Sequence, residues 1–317
     1  MCGALTIHSS QMHGASADCT VIVLEEALTD LYYLLKKQKQ PIKLDMVIRW
    51  SRDILEGVDF LHRRKIVHRD LKSGNILVFP NRVVKICDFG LARGDISEEM
   101  DIHREIVTLW YRAPELLMGI KHYGPRVDEW SVGCIILEML CGMCIIPGNN
   151  KDVCDCQKST HINFNSDQLV KVLKLVGTPT DEKLLSKMHC WEHFKNWPVY
   201  PARLGRVVEN MCTEDRSAAN DPNPADTAQE ISKNMYDVLQ TLLDPDPWKR
   251  ATAREAVSMK LFERVEAPRP AVTKERDSDE DGDRKAQAAT VHKGSGEAPT
   301  ADKKIDVEPR TRHTSHR

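Results

Sequence analysis

The segment from Trp130 to Pro147 sets the strongest limit on how this chain can fold. It is almost wholly apolar and close to the shortest length that crosses a bilayer. Glu138 lies inside it, and a carboxylate is costly in hydrocarbon. The segment therefore reads as a helix buried in a protein core, and no membrane partner is expected. A chain of 317 residues is ample to build that core. Its length suits two domains, or one large domain with a tail.

Charge and cysteine usage narrow the class further. The chain has 45 Lys and Arg against 47 Asp and Glu, a net charge of -2. That balance excludes broad polyelectrolyte binding, so no nucleic-acid partner is expected. The ten cysteines show no small-scaffold spacing. Before Arg49 the only basic residues are Lys36, Lys37, Lys39 and Lys43, which leaves no cationic leader pattern at the start. The cysteines read as reduced thiols of an intracellular protein. Basic residues near the C-terminus alternate with acids and form no import cluster, so cytoplasm and nucleus both stay open.

Pattern places the elements. Leu5 and Ile7, then Val21 and Val23, alternate with polar residues around a turn-rich stretch, Gln11 to Ser16, and predict a hairpin. Leu44, Val47, Ile48, Ile54, Leu55, Val58 and Leu61 recur in steps of three and four and predict an amphipathic helix ending near Arg63. Ile76-Leu77-Val78 and Val83 to Ile86 read as short strands around a turn at Pro80-Asn81. From Arg126 onward the pattern is mainly helical. The polar stretches 149–166 and 205–230 read as insertions or long loops. Residues 265–317 hold no aromatic and no Leu, and are expected to be disordered.

Three motifs carry the chemistry. His68-Arg69-Asp70-Leu71-Lys72-Ser73-Gly74-Asn75 is followed by Asp88-Phe89-Gly90 and then by Ala113-Pro114-Glu115. Each alone could be a turn or a cap. In this order they are highly specific, and the chain resembles the protein kinase family. Val107 to Glu115, Asp128 to Cys134 and Gly177-Thr178-Pro179 resemble the cyclin-dependent kinases and their proline-directed relatives, while Val84 to Gly90 is nearer the MAP kinases. The likeness covers about residues 21–264. It implies an α+β, protein kinase-like fold with a mostly helical C-terminal lobe and a remnant β-hairpin of the N-terminal lobe. The implied division is 1–27 for hairpin and hinge, 28–264 for the large lobe with the two insertions, and 265–317 for the tail.

The resemblance also assigns roles. It implies phosphorylation of protein serine and threonine followed by proline, with ATP and Mg²⁺ as cofactors. Asp70 accepts the substrate hydroxyl proton, Lys72 offsets charge on the γ-phosphate, and Thr108 contacts both. Asn75 and Asp88 supply oxygen ligands for a hard cation. Leu24 is the gatekeeper, Glu25 and Ala27 bond adenine through their backbones, Leu77 forms its floor, and Asp30 lies near the ribose. Asp128 anchors the catalytic loop, Glu115 pairs with Arg250, and Arg112 shapes the pocket that selects proline.

The family pattern is also broken in places. No Gly-x-Gly-x-x-Gly occurs, the first lysine is Lys36, and the first glutamate is Glu25, already in the hinge. The phosphate-gripping lysine and its helix glutamate have no counterpart. An incomplete chain, weak or inactive as given, is the expectation, with a catalytically dead kinase-like binding module as the alternative. No residues match the helix that contacts a cyclin, which leaves a cyclin or other activator in doubt. His103 stands where cyclin-dependent kinases carry their activating threonine, and Glu98, Glu99 and Asp101 offer charge in its place. Cys154, Cys156 and His161 number too few for a structural metal site, and the cysteines read as free thiols on a loop.

Overall fold

The computed structural model describes residues 8–10, 21–94, 100–101, 105–120, 122–152, 161–190, 196–214 and 224–263. All of them fall in the unit Met1–Pro270. The tail expected at 265–317 lies outside the described residues, as do Leu5, Ile7, Cys154 and Cys156.

The helix expected around the long apolar run is α4, Arg126–Cys141. Every residue from Val127 to Leu140 is buried, as a helix apolar on all faces must be. Helix α2, Leu44–Arg63, turns Leu44, Val47, Ile54, Leu55, Val58 and Leu61 onto α4. Its bounds agree with the periodicity. Gly142 ends α4 at φ 72°, where a Cβ would stand 2.7 Å from the Gln40 carbonyl carbon. Only glycine fits that approach.

A three-stranded antiparallel sheet lies beside α2, in the order β3 (Thr29–Asp30), β4 (Ile76–Val78), β5 (Val84–Ile86). Thr29 pairs with Val78 and Leu77 with Lys85. Strands β4 and β5 are those expected; β3 is too short for any alternation to announce it. It leads into α1, Leu31–Gln38, whose first turn is capped by the Asp30 side chain accepting from Tyr33 N at 2.8 Å.

A hairpin is described at the N-terminus, its second strand at the predicted Val21–Val23, while Leu5 and Ile7 lie outside the described residues. β1 is His8–Ser10 and pairs antiparallel with β2, Val21–Val23, so that His8 faces Val23. Three-residue strands carry too little alternation to fix a register. Strand β6, Met100–Asp101, pairs with β7, His122–Tyr123.

The loop reading of 205–230 needs correction. Helix α7, Leu204–Glu214, and helix α8, Pro224–Leu242, run through most of it and pack on each other and on α4. Leu204, Val208 and Cys212 are buried at steps of four among polar residues, a stripe narrow enough to be masked by the surrounding charge. Of the shorter helices, α3 (Pro114–Leu117) packs on α5 (Ser166–Val176), α9 (Ala253–Val257) packs on α2, and α6 (Glu182–Leu185) follows α5. Glu138, the charge inside the apolar run, accepts from Tyr111 Oη at 2.6 Å and Ser73 Oγ at 3.1 Å. Burial raises the pKa of both Glu138 and Tyr111.

Candidate active site

The segment His68–Asn75 is irregular backbone held from below. Asp128 on α4 accepts from His68 N at 2.8 Å and from Arg69 N at 2.9 Å. Arg69 sits at φ 67°, a region that disfavours residues with a Cβ. Its guanidinium fixes that turn by donating to Leu91 O at 2.7 Å and Tyr123 Oη at 2.8 Å. The sequence-expected anchor is therefore in place.

This backbone presents Asp70 to the cleft. Thr108 Oγ1 donates to Asp70 Oδ1 at 2.7 Å, and Lys72 Nζ donates to Asp70 Oδ2 at 2.7 Å and to Thr108 Oγ1 at 3.3 Å. The structure thus brings Asp70, Lys72 and Thr108 together, 36 residues of chain separating the last two. Burial alone would raise the Asp70 carboxyl; the bonds from Lys72 and Thr108 outweigh it and hold it below the ordinary range.

Asn75 precedes β4 and Asp88 follows β5 at the open end of the hairpin. Cys87 N, one residue before Asp88, donates to Asn75 O at 3.0 Å. Asn75 Nδ2 donates to Asp70 O at 2.7 Å, and this leaves its Oδ1 as a possible ligand. Asp88, exposed and at φ 63°, accepts from Gly90 N at 3.2 Å and has no described cationic partner. One amide oxygen and one carboxylate fit Mg²⁺, which keeps waters and phosphate oxygens for the rest of its shell. Among the described residues no three His, Cys, Asp or Glu side chains gather as a self-sufficient metal site.

The hinge residues line up beside this hairpin. Leu28 N donates to Val78 O at 2.9 Å, which extends the β3–β4 pairing to the hinge. Glu25 forms an ion pair with Lys85 on β5. Leu77 is half-buried and Ala27 partly covered, whereas Leu24 is 51% exposed. Asp30, already capping α1 through Oδ1, stands near the thiol of Cys87.

On the other side of Asp70 lies a cleft of about 450 Å³ lined by Val107, Thr108, Leu109, Arg112, Asn150 and Asn165 among others. Asn150 and Asn165 thus bring the two described ends of the 149–166 stretch to its wall. Val107 is a β-branched residue at φ 61°. Arg112, 2% exposed, donates to Val107 O from Nε at 3.2 Å and from Nη2 at 3.0 Å, and to Asn163 O at 2.9 Å. The Val107 carbonyl is held in that strained turn and is spent on Arg112. Beneath it, Arg250 and Glu115 form two parallel bonds of 2.7 and 2.8 Å in full burial.

The description "Protein kinase domain" matches residues 11–262. The chain belongs to the protein kinase family. Within that family its likeness runs to the cyclin-dependent kinases. It is 34% identical over 259 residues to the rice (Oryza sativa subsp. indica) protein "Cyclin-dependent kinase G-2", a match that spans 81% of this chain and 32% of that protein. It is 34% identical over 259 residues to "Meiotic mRNA stability protein kinase SSN3" of Saccharomyces cerevisiae, with 79% and 43% covered. Among solved structures, "Crystal Structure of the yeast RNA Pol II CTD kinase CTDK-1 complex" superposes with a TM-score of 0.64 at 27% identity, covering 84% of this chain and 78% of that one. This kinase chain spans about a third of the length of the first curated relatives it matches.

Several polar groups of the kinase site carry no motif. Tyr123, which takes the Arg69 guanidinium, is 54 residues away in sequence. His62 bonds both Asp128 and Glu129 from α2. Asn163 Oδ1 accepts from Ile106 N at 3.0 Å and steadies the segment before Val107. Of the residues expected to replace an activating phosphate, Glu98, Glu99 and the side chain of Asp101 lie outside the described residues, as does His103 at the threonine position.

Proposed function

We propose that this cleft transfers the γ-phosphoryl group of ATP to serine or threonine hydroxyls followed by proline in protein substrates. The Asp70–Lys72–Thr108 triangle carries the reading. A carboxylate held ionised, bonded on one side by an ammonium and on the other by a hydroxyl, can orient a substrate hydroxyl and accept its proton. Lys72 stands ready to offset charge on the transferred group. Asn75 Oδ1 and Asp88 would hold Mg²⁺. The bound ion supplies charge neutralisation at the phosphate oxygens. Leu24, Leu77 and the backbones of Glu25 and Ala27 would hold adenine, with the second oxygen of Asp30 toward the ribose. Because Arg112 occupies the Val107 carbonyl, the cleft offers no acceptor there to a substrate backbone N–H, and proline has none to satisfy.

A second reading is a binding module of kinase fold, favoured by the 51% exposure of Leu24 where adenine would be held. Thermal shift with Mg-ATP separates the two. Stabilisation at millimolar ATP that vanishes in Asp88→Ala supports the phosphoryl-transfer site; no shift supports the module. With a Ser-Pro peptide, Asp70→Asn is expected to lower turnover by about 10²–10⁴-fold with unchanged melting. Turnover that survives this change would overturn the assignment of Asp70.

A further inference from the structure

The Asp128 clamp on the catalytic loop has a support of its own. His62 Nε2 stands 2.9 Å from Asp128 Oδ2, and His62 Nδ1 stands 3.1 Å from Glu129 Oε1. Carboxylates only accept, so both ring nitrogens must carry protons for both contacts to be hydrogen bonds. The ring is then an imidazolium between two buried carboxylates. Asp128 and Glu129 are 1% and 0% exposed. Glu129 Oε1 also accepts from Ala253 N at 3.1 Å and from Arg126 Nη1 at a long 3.4 Å, and its Oε2 is buried with no described partner. Of the two cations in contact with Glu129 among the described residues, His62 is the nearer, at 3.1 Å against 3.4 Å, and the less exposed, its side chain 13% exposed against 30% for Arg126.

We propose that Glu129 is a positioning residue for the phosphoryl-transfer site: it holds His62 as the imidazolium, His62 braces Asp128, and Asp128 fixes the backbone of His68 and Arg69 beside Asp70. The proposal rests on the kinase reading for its consequence in turnover, but the linkage itself is a property of the fold. The other charged groups around the ring are compatible with it. Asp59 and Arg63 on the same helix pair with each other at 3.0 Å, and Glu115 is taken by Arg250. His122, Arg126 and Arg254 line the adjoining cavity. Burial alone would lower the His62 pKa; the bonds to Asp128 and Glu129 outweigh it and push it up to about 10. With Glu129 replaced by glutamine, the amide can donate to a bare Nδ1, and the ring no longer needs its second proton. The bond from His62 to Asp128 then keeps its ionised acceptor but loses the positive charge on its donor, and is weakened.

The test follows the His62 ring by NMR and the exchange protection of the His68 and Arg69 amides, on the full chain, from about pH 6 to pH 9. In the wild type, the ring should stay protonated and the amide protection should stay flat. In Glu129→Gln, the ring should titrate near the ordinary histidine value, and protection should fall about tenfold as it deprotonates. Glu129→Ala should behave alike and recover with formate, because a cavity of about 530 Å³ lined by Glu129 and His62 gives the anion a path. A wild-type ring that titrates below about pH 8 overturns the proposal without any variant. Protection that stays flat in Glu129→Gln while its ring titrates overturns it too. Phosphotransfer to a Ser-Pro peptide is measured on the same samples. Turnover that tracks amide protection supports the positioning role. If the ring and amides respond as expected but the wild type transfers no phosphate, the linkage stands and the kinase reading fails.

Discussion

The proposed catalytic loop, residues 67–71, and the proposed hinge, residues 24–28, are both short irregular segments, yet they are held in opposite ways. In the loop, Val67 to Leu71 are all buried, and their polar groups end on Asp128, Leu91, Tyr123, Thr108 and Lys72. In the hinge, Leu24 and Leu28 are 51% and 66% exposed, and one backbone bond, Leu28 to Val78, ties it to the sheet. The loop is fixed by buried side chains that answer strained backbone. The hinge offers its own backbone and one surface ion pair. Chemistry at Asp70 should therefore follow the integrity of the large lobe, and nucleotide binding should follow whatever packs on the hinge.

The sharpest way to break this contrast is at Arg250. Arg250→Ala leaves Glu115 buried and unpaired and is expected to cost about 3–5 kcal/mol in urea denaturation. A loss under about 1 kcal/mol would mean that the lobe does not depend on its buried charges.

Asp53 comes next. It lies on α2, accepts from Val84 N at 3.4 Å, and burial pushes its carboxyl up to about 6. A folded pKa above the unfolded 3.8 means that ionisation opposes folding. Stability from this group is full below about pH 4 and is lost as pH rises through 6. Asp53→Asn should therefore gain on the wild type over that window and stay ahead above it, by on the order of 2–3 kcal/mol. A difference that does not change with pH would remove the burial argument.

Thr108→Val tests the loop alone. It deletes a charge-assisted bond to Asp70 worth about 1.5–3 kcal/mol, so turnover should fall about 10- to 100-fold while ATP affinity holds. Thr108→Ser should restore most of it.

The smallest effect is expected at the hinge. Glu25→Ala removes a pair whose carboxylate is 43% exposed. Stability should change by less than about 1 kcal/mol, and ATP binding should hold, because the backbone and not the side chain would meet adenine. A large loss of ATP binding would show that the Glu25–Lys85 pair shapes the hinge after all.

What could be read from sequence divides along the same line. Helix α2 was legible because seven apolar positions keep a 3.6-residue period over its length. Asp70, Lys72, Asn75 and Asp88 could be named as candidates because phosphoryl transfer would use such groups at that spacing, and Lys72 and Asn75 do bond to Asp70. Asp128, Glu115 and Arg250 followed from the resemblance, and the structure places them in the contacts it implies. Tyr123 and Glu129 were not legible. Nothing local marks a tyrosine that will meet Arg69 across 54 residues, or a glutamate that will share a histidine with its neighbour. Helix α7 and the start of α8 were missed for a different reason. The buried stripe of α7 is one residue in four, and the Asn-Asp-Pro composition that follows outweighs it in any window.

The thiol of Cys87 shows what this setting means for ligands. It is half-buried beside Asp88, and burial first, then the negative charges of Asp88 and Asp30, push its pKa up to about 11. At neutral pH about one thiol in 10⁴ is ionised. An electrophilic inhibitor designed to capture this sulfur would find it close to the nucleotide cleft and nearly inert. Such a compound must dwell long through reversible contacts, or carry a cation that draws the proton off, before any covalent bond can form.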